Sequence, residues 1–77
     1  MNKSLFIKHM KRNNDTQITL ADAMGMAQSA LNGRINGKIE FRKNEINFIR
    51  RRWCLTDHET IDIFFDDMVS GQDTISA

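Results

Sequence analysis

Glu59, Asp62 and Asp66 recur at helical spacing, which stacks their carboxylates along one side of a helix, and His58 stands four residues before Asp62. Carboxylates work as general acid and base only where a pocket drives one pKa away from the other. A terminal helix in a chain of 77 residues has no such pocket to offer. A His–Asp pair supplies only part of the tetrahedral set that a structural zinc site takes, and its ordinary place is a solvated helix start. Cys54 is the single cysteine, so it closes no disulfide within the chain and builds no zinc site alone. None of these groups points to a reaction. The expectation is a binding protein with no catalytic residues, no metal and no cofactor.

The cationic side chains are more telling. Through Leu55 the sequence holds all 11 Lys and Arg against Asp15, Asp22, Glu40 and Glu45, a surplus of +7. From Thr56 onward Asp57, Glu59, Asp62, Asp66, Asp67 and Asp73 meet no base, a balance of −6, so the net +1 conceals an electrically two-sided chain. A basic section of this strength has a nucleic acid or an anionic surface as its natural partner. The competing reading is a solvated surface whose two ends attract each other. No apolar run is long enough to span a bilayer, and the opening residues lack the apolar centre of a secretory signal, so a cytoplasmic protein without membrane contact is expected.

These side chains need a scaffold, and the pattern that supplies it is helical throughout. At 40% hydrophobic and 27% charged residues the composition is that of a globular protein, enough for one small domain. There is no proline, and apolar residues recur at helical spacing rather than in strand alternation, which predicts an all-α, compact five-helix bundle. Ser4 is the expected cap of a first helix to about residue 13, with Phe6 and Met10 inside, Lys8, Lys11 and Arg12 outside and His9 on the rim. Asn13-Asn14-Asp15 breaks it, and Thr16 caps a second helix through Ala23 that turns Leu20, Ala21 and Met24 inward. Gly25 sits where a left-handed residue is needed, and Met26 returns to the core.

A third helix over residues 27–35 places Leu31 and Ile35 on one side and stops at Asn36-Gly37. Phe41 tucks under the following connection, and a fourth helix over residues 42–53 uses Ile46, Ile49 and Trp53 as its apolar stripe. Arg50, Arg51 and Arg52 crowd its last turn, where the helix dipole favours cations. Thr56 and Glu59 have the spacing of a capping box, so a fifth helix is expected from there to about Met68. In it Ile61, Phe64 and Phe65 face the core, extended by Met68 or Val69, while Ile63 points away. That arc is wider than one buried face needs, and Ile63 and Phe64 become the candidates for a homodimer contact; a deep groove taking the whole helix is the alternative. The domain is then residues 1–69, with residues 70–77 as a flexible C-terminal tail.

Two short helices around a glycine turn, with the small Ala21 allowing close approach, have the physics of a helix-turn-helix. The run Thr16-Gln17-Ile18-Thr19-Leu20-Ala21-Asp22-Ala23-Met24-Gly25-Met26-Ala27-Gln28-Ser29-Ala30-Leu31 resembles the phage repressor and Cro family of DNA-binding domains, and the likeness extends from about Ser4 to Phe65. The resemblance implies a sequence-specific, double-stranded DNA-binding transcriptional regulator of phage or prophage type that occludes an operator and binds it as a homodimer. With only a short tail after the domain, a Cro-like protein or a lone DNA-binding domain is expected rather than a full repressor. By resemblance, Gln17 donates to a phosphate at the head of the second helix, and Gln28, Ser29 and Asn32 meet the base edges in the major groove. Gln28 and Asn32 each have the donor and acceptor to pair with adenine; Ser29 discriminates less. Asn36, Lys38, Arg42 and Lys43 match the turn that grips flanking phosphates.

Two positions depart from the family pattern. Gly33 lies inside the recognition helix, where only shape or close backbone approach can be read, and Arg34 stands where an apolar residue is usual, with Ile35 supplying that contact. A register slip of one residue would exchange Asn32 and Arg34 and make Arg34 the DNA contact. The alternative in another class keeps the fold but uses it on a protein partner, through the apolar fifth helix, as an antirepressor, repressor modulator or antitoxin.

Overall fold

The computed structural model describes residues 1–66. Five helices account for it: α1 Lys3–Arg12, α2 Gln17–Met24, α3 Gln28–Ile35, α4 Lys43–Arg52 and α5 Asp57–Phe64, with no strand among the described residues. The chain is all-helical, and no described helix is long and apolar enough to cross a membrane. Residues 67–77, including the expected tail and the Met68 or Val69 contact, lie outside the described residues.

The helix ends show which local signals acted. At Thr16 and Thr19 two hydroxyls cap each other's backbone, with Thr19 N–H donating to Thr16 Oγ1 at 3.1 Å and Thr16 N–H to Thr19 Oγ1 at 2.8 Å. Thr56 and Glu59 form the expected capping box at 3.1 and 2.9 Å. Gly25 takes φ 70°, and Met26 N–H then reaches back to Ala21 O at 3.0 Å, closing α2. A side chain in that left-handed conformation costs roughly 1–2 kcal/mol. The first cap differs from expectation: it is Asn2, whose side chain accepts from Leu5 N–H at 3.0 Å, while Ser4 is exposed in the first turn. Asparagine and serine cap equally well by type. The choice is made from outside the segment, because Asn2 N–H also donates to Ile63 O at 2.8 Å and fixes the start of α1 against α5.

Phe6, Leu20, Leu31, Ile49 and Ile63 are fully buried, and Ala21, Ile35, Trp53 and Leu55 complete the core. Phe6 is the aromatic centre, its ring 5.1 Å from Trp53, 5.6 Å from Phe41 and 6.0 Å from Phe64. The expected orientation of α5 is corrected. Ile63 is at 0% exposure, whereas Ile61 and Phe65 are 44% and 38% exposed. The inward face runs through Thr60, Ile63 and Phe64, because Thr60 Oγ1 donates to Thr56 O at 2.8 Å and a satisfied hydroxyl lets the threonine pack as an apolar group. Ile63 is therefore unavailable to a partner, and Phe64 is half-buried with its ring also 5.3 Å from Phe41. After Phe64 the backbone leaves helical geometry at Phe65 and is helical again at Asp66, and the expected continuation to Met68 lies outside the described residues. His9 is likewise buried rather than on the rim; it lies one turn from Phe6 on the face of α1 that packs against α5.

One buried carboxylate ties three segments together. Asp15, in the break after α1, accepts from Arg52 at 2.7 and 2.8 Å, from Trp53 Nε1 at 2.7 Å and from Thr19 Oγ1 at 2.9 Å. The Arg52 hydrogen bonds hold its carboxyl far below the usual carboxylate range; burial opposes them and loses, and the Trp53 and Thr19 bonds add to the lowering.

At Gly33, inside α3, the side chain that a Cβ would meet is that of Ile39. The Gly33 carbonyl accepts from Lys38 N–H at 2.9 Å and Ile39 N–H at 3.2 Å, and a Cβ built on the glycine would stand 3.3 Å from Ile39 Cδ1. That methyl is the far end of an exposed side chain and has room to turn aside. Gly33→Ala should therefore recover most of the ~1 kcal/mol helix penalty. A urea midpoint above that of the parent chain is the expected result; a lower one would show that Ile39 is held in place.

Candidate nucleic-acid interface

The α2–α3 pair presents its polar residues away from the core. Leu20 and Ala21 bury one side of α2, Leu31 and Ile35 bury one side of α3, and the opposite side of α3 leaves Gln28, Ser29 and Asn32 exposed. The two helix heads lie together, with Gln17 Nε2 donating to Gln28 O at 3.3 Å. Gln17 is half-buried and keeps its second amide hydrogen for an external acceptor. Helix α5, which carries Asp57, Glu59 and Asp62, packs on α1 and α4, while α2 packs on α3.

Arg34 is committed within the protein. Its Nε meets Glu45 Oε1 at 2.9 Å, its Nη1 donates to Ala30 O at 3.0 Å, and both side chains of the pair are nearly nine-tenths buried. Burial alone would raise the Glu45 pKa, but the bonds from Arg34 and from Arg42 N–H outweigh it and leave the carboxyl below its ordinary value. The register slip that would expose Arg34 is thereby excluded, and Asn32 is the outward residue. Glu45 does two tasks at once: it satisfies the first free amide of α4 and fastens the end of α3 to that helix.

At the end of α3 the expected roles shift. Asn36 donates through Nδ2 to both the backbone and the side-chain oxygen of Asn32, so its side-chain donors are spent inside the protein rather than held for a phosphate. The cation nearest this point comes from α1: Lys3 Nζ donates to Asn36 Oδ1 at 2.6 Å. No feature of residues 28–43 announces Lys3, which is 33 positions away. Lys38, Arg42 and Lys43 are exposed and make no ion pair among the described residues. In the arginine run, Arg50 pairs with Asp57 and Arg52 with Asp15, which leaves Arg51 alone exposed without an acidic partner among the described residues.

The other chemistry-bearing groups stay apart. His58 and Asp62 meet at 3.3 Å on the surface, and no cluster among the described residues gathers three or more side chains able to hold a metal. Cys54 is exposed in the α4–α5 turn at φ 50°.

No protein-family model, no curated protein and no solved structure matches this chain.

Proposed function

We propose that the protein is a sequence-specific double-stranded DNA-binding regulator of the repressor and Cro kind, in which α2 and α3 form the helix-turn-helix and bound protein occludes a promoter. The observation that carries this reading is the exposed Gln28, Ser29 and Asn32 of α3 together with the exposed Lys38, Arg42 and Lys43, which make no ion pair among the described residues. Primary amides and a hydroxyl discriminate base edges, and cations on the flank supply sequence-independent attraction to phosphates. Gln17 at the head of α2 adds a neutral donor where the helix dipole favours an anion. Nothing in this mechanism needs a cofactor or a covalent step.

Selection of bound sequences from random duplexes tests it. Enrichment of a defined site is expected, with Gln28→Ala altering preference at one or two base pairs by about 1–3 kcal/mol each. Recovery of no common sequence at low salt would overturn the reading.

A second reading rests on a separate observation, the exposed apolar edge of α5. Ile61 and Phe65 border a groove whose other apolar walls are Phe41 and Ile46. Contact with a protein partner, or with a second copy bound to the same duplex, would use these two residues in place of Ile63. Ile61→Asp would then abolish co-purification or dimerisation on DNA, while Gln28→Ala would leave both intact.

A further inference from the structure

Taking α3 as the helix that meets the bases, we infer that Lys3 sets the hydrogen-bond polarity of Asn32, through Asn36, and makes Asn32 present a donor to the base it faces. An ammonium donates three hydrogen bonds and accepts none. With Lys3 Nζ 2.6 Å from Asn36 Oδ1, the Asn36 amide has one permitted orientation, carbonyl toward Lys3 and NH2 away. That NH2 donates to Asn32 O at 3.0 Å and to Asn32 Oδ1. Asn32 Oδ1 is thus turned along the helix toward Asn36, and its Nδ2 is the atom left outward, without a partner among the described residues. A freely turning asparagine pairs with adenine by accepting from N6 and donating to N7. A held one offers the donor first, which suits an edge made only of acceptors, N7 and O6 of guanine or O4 of thymine. Asn32 is therefore read as selecting guanine or thymine over adenine, and Lys3 is a positioning residue for that selection although it touches no base.

The test uses the full chain and two readouts. The first needs no DNA: in amide-resolved NMR, the Asn36 side-chain NH2 exchanges slowly with water in the parent and speeds up about tenfold in Lys3→Met, since one hydrogen bond to its partner group is lost. Lys3→Arg, another pure donor, restores the slow exchange. The second is selection from random duplexes, with the base pair read by Asn32 identified as the one whose preference flattens in Asn32→Ala. Guanine or thymine is expected there in the parent; Lys3→Met should move the balance toward adenine by about five- to tenfold at that pair alone, and Lys3→Arg should not. Lys3 is exposed, so these variants keep the core. Adenine preferred at that pair in the parent, or a preference unmoved by Lys3→Met, overturns the relay while leaving DNA binding in place. Failure to enrich any sequence overturns the DNA reading and this inference with it, whereas fast Asn36 exchange in the parent overturns the inference alone.

Discussion

Asp15→Asn should lower the stability of the domain by about 3 kcal/mol, the usual loss when one partner of a buried ion pair is removed. For a domain of this size that is a large share of the ~5–10 kcal/mol that holds it folded. The side chain is 5% exposed and accepts from three residues that arrive from α2, from the end of α4 and from the core tryptophan. Asparagine keeps the shape but turns an NH2 toward donors, leaving Arg52 or Trp53 Nε1 without an acceptor. Trp53 is the single tryptophan, so its fluorescence in a urea titration reports the site directly. The pH dependence has a definite sign. A carboxyl whose folded pKa lies far below its unfolded value near ~3.9 contributes stability that is complete above that value and drains away as the pH falls below it. The parent should lose stability steeply in acid from about pH 5 downward, and Asp15→Asn should show a flatter acid limb. Parent-like urea midpoints at neutral pH would remove Asp15 from its place as the link between these segments.

The combined variant Lys38→Gln, Arg42→Gln and Lys43→Gln should weaken DNA binding by a few hundredfold at about 0.1 M salt, equally on every sequence. Each phosphate neutralised releases a condensed counterion, so the logarithmic salt slope should fall by about 0.9 for each cation removed. These side chains are exposed and make no ion pair among the described residues, so their loss leaves the core and the described ion pairs untouched. Arg42 closes α4 through its backbone N–H, which glutamine retains. Arg52→Gln is the counterpart that discriminates: it breaks a pair with Asp15, so it should lower stability and leave the salt slope as it was. A slope that ignores the triple substitution, or one that moves as far with Arg52→Gln, would detach this surface from DNA.

The helices and several of their ends are legible in the sequence because their determinants are local. Thr16 and Thr56 cap within one turn of themselves, Gly25 needs only its own missing side chain, and Leu31 and Ile35 declare the buried side of α3 by spacing. The exposure of Gln28, Ser29 and Asn32 comes from that same spacing. The features that escape the sequence are non-local. Asp15 reads as a helix breaker until Arg52 and Trp53, 37 and 38 residues on, are folded against it. Asn2 prevails over Ser4 because Ile63 reaches it, and Lys3 meets Asn36 across 33 positions. The rotation of α5 is hidden for a chemical reason: Thr60 counts as polar by type, yet its own helix satisfies its hydroxyl.

The bond from Asn2 N–H to Ile63 O joins α1 to α5, the first and last of the five described helices. It makes a clasp of the two outermost elements, so neither frays without releasing the other, and they should open as one cooperative unit.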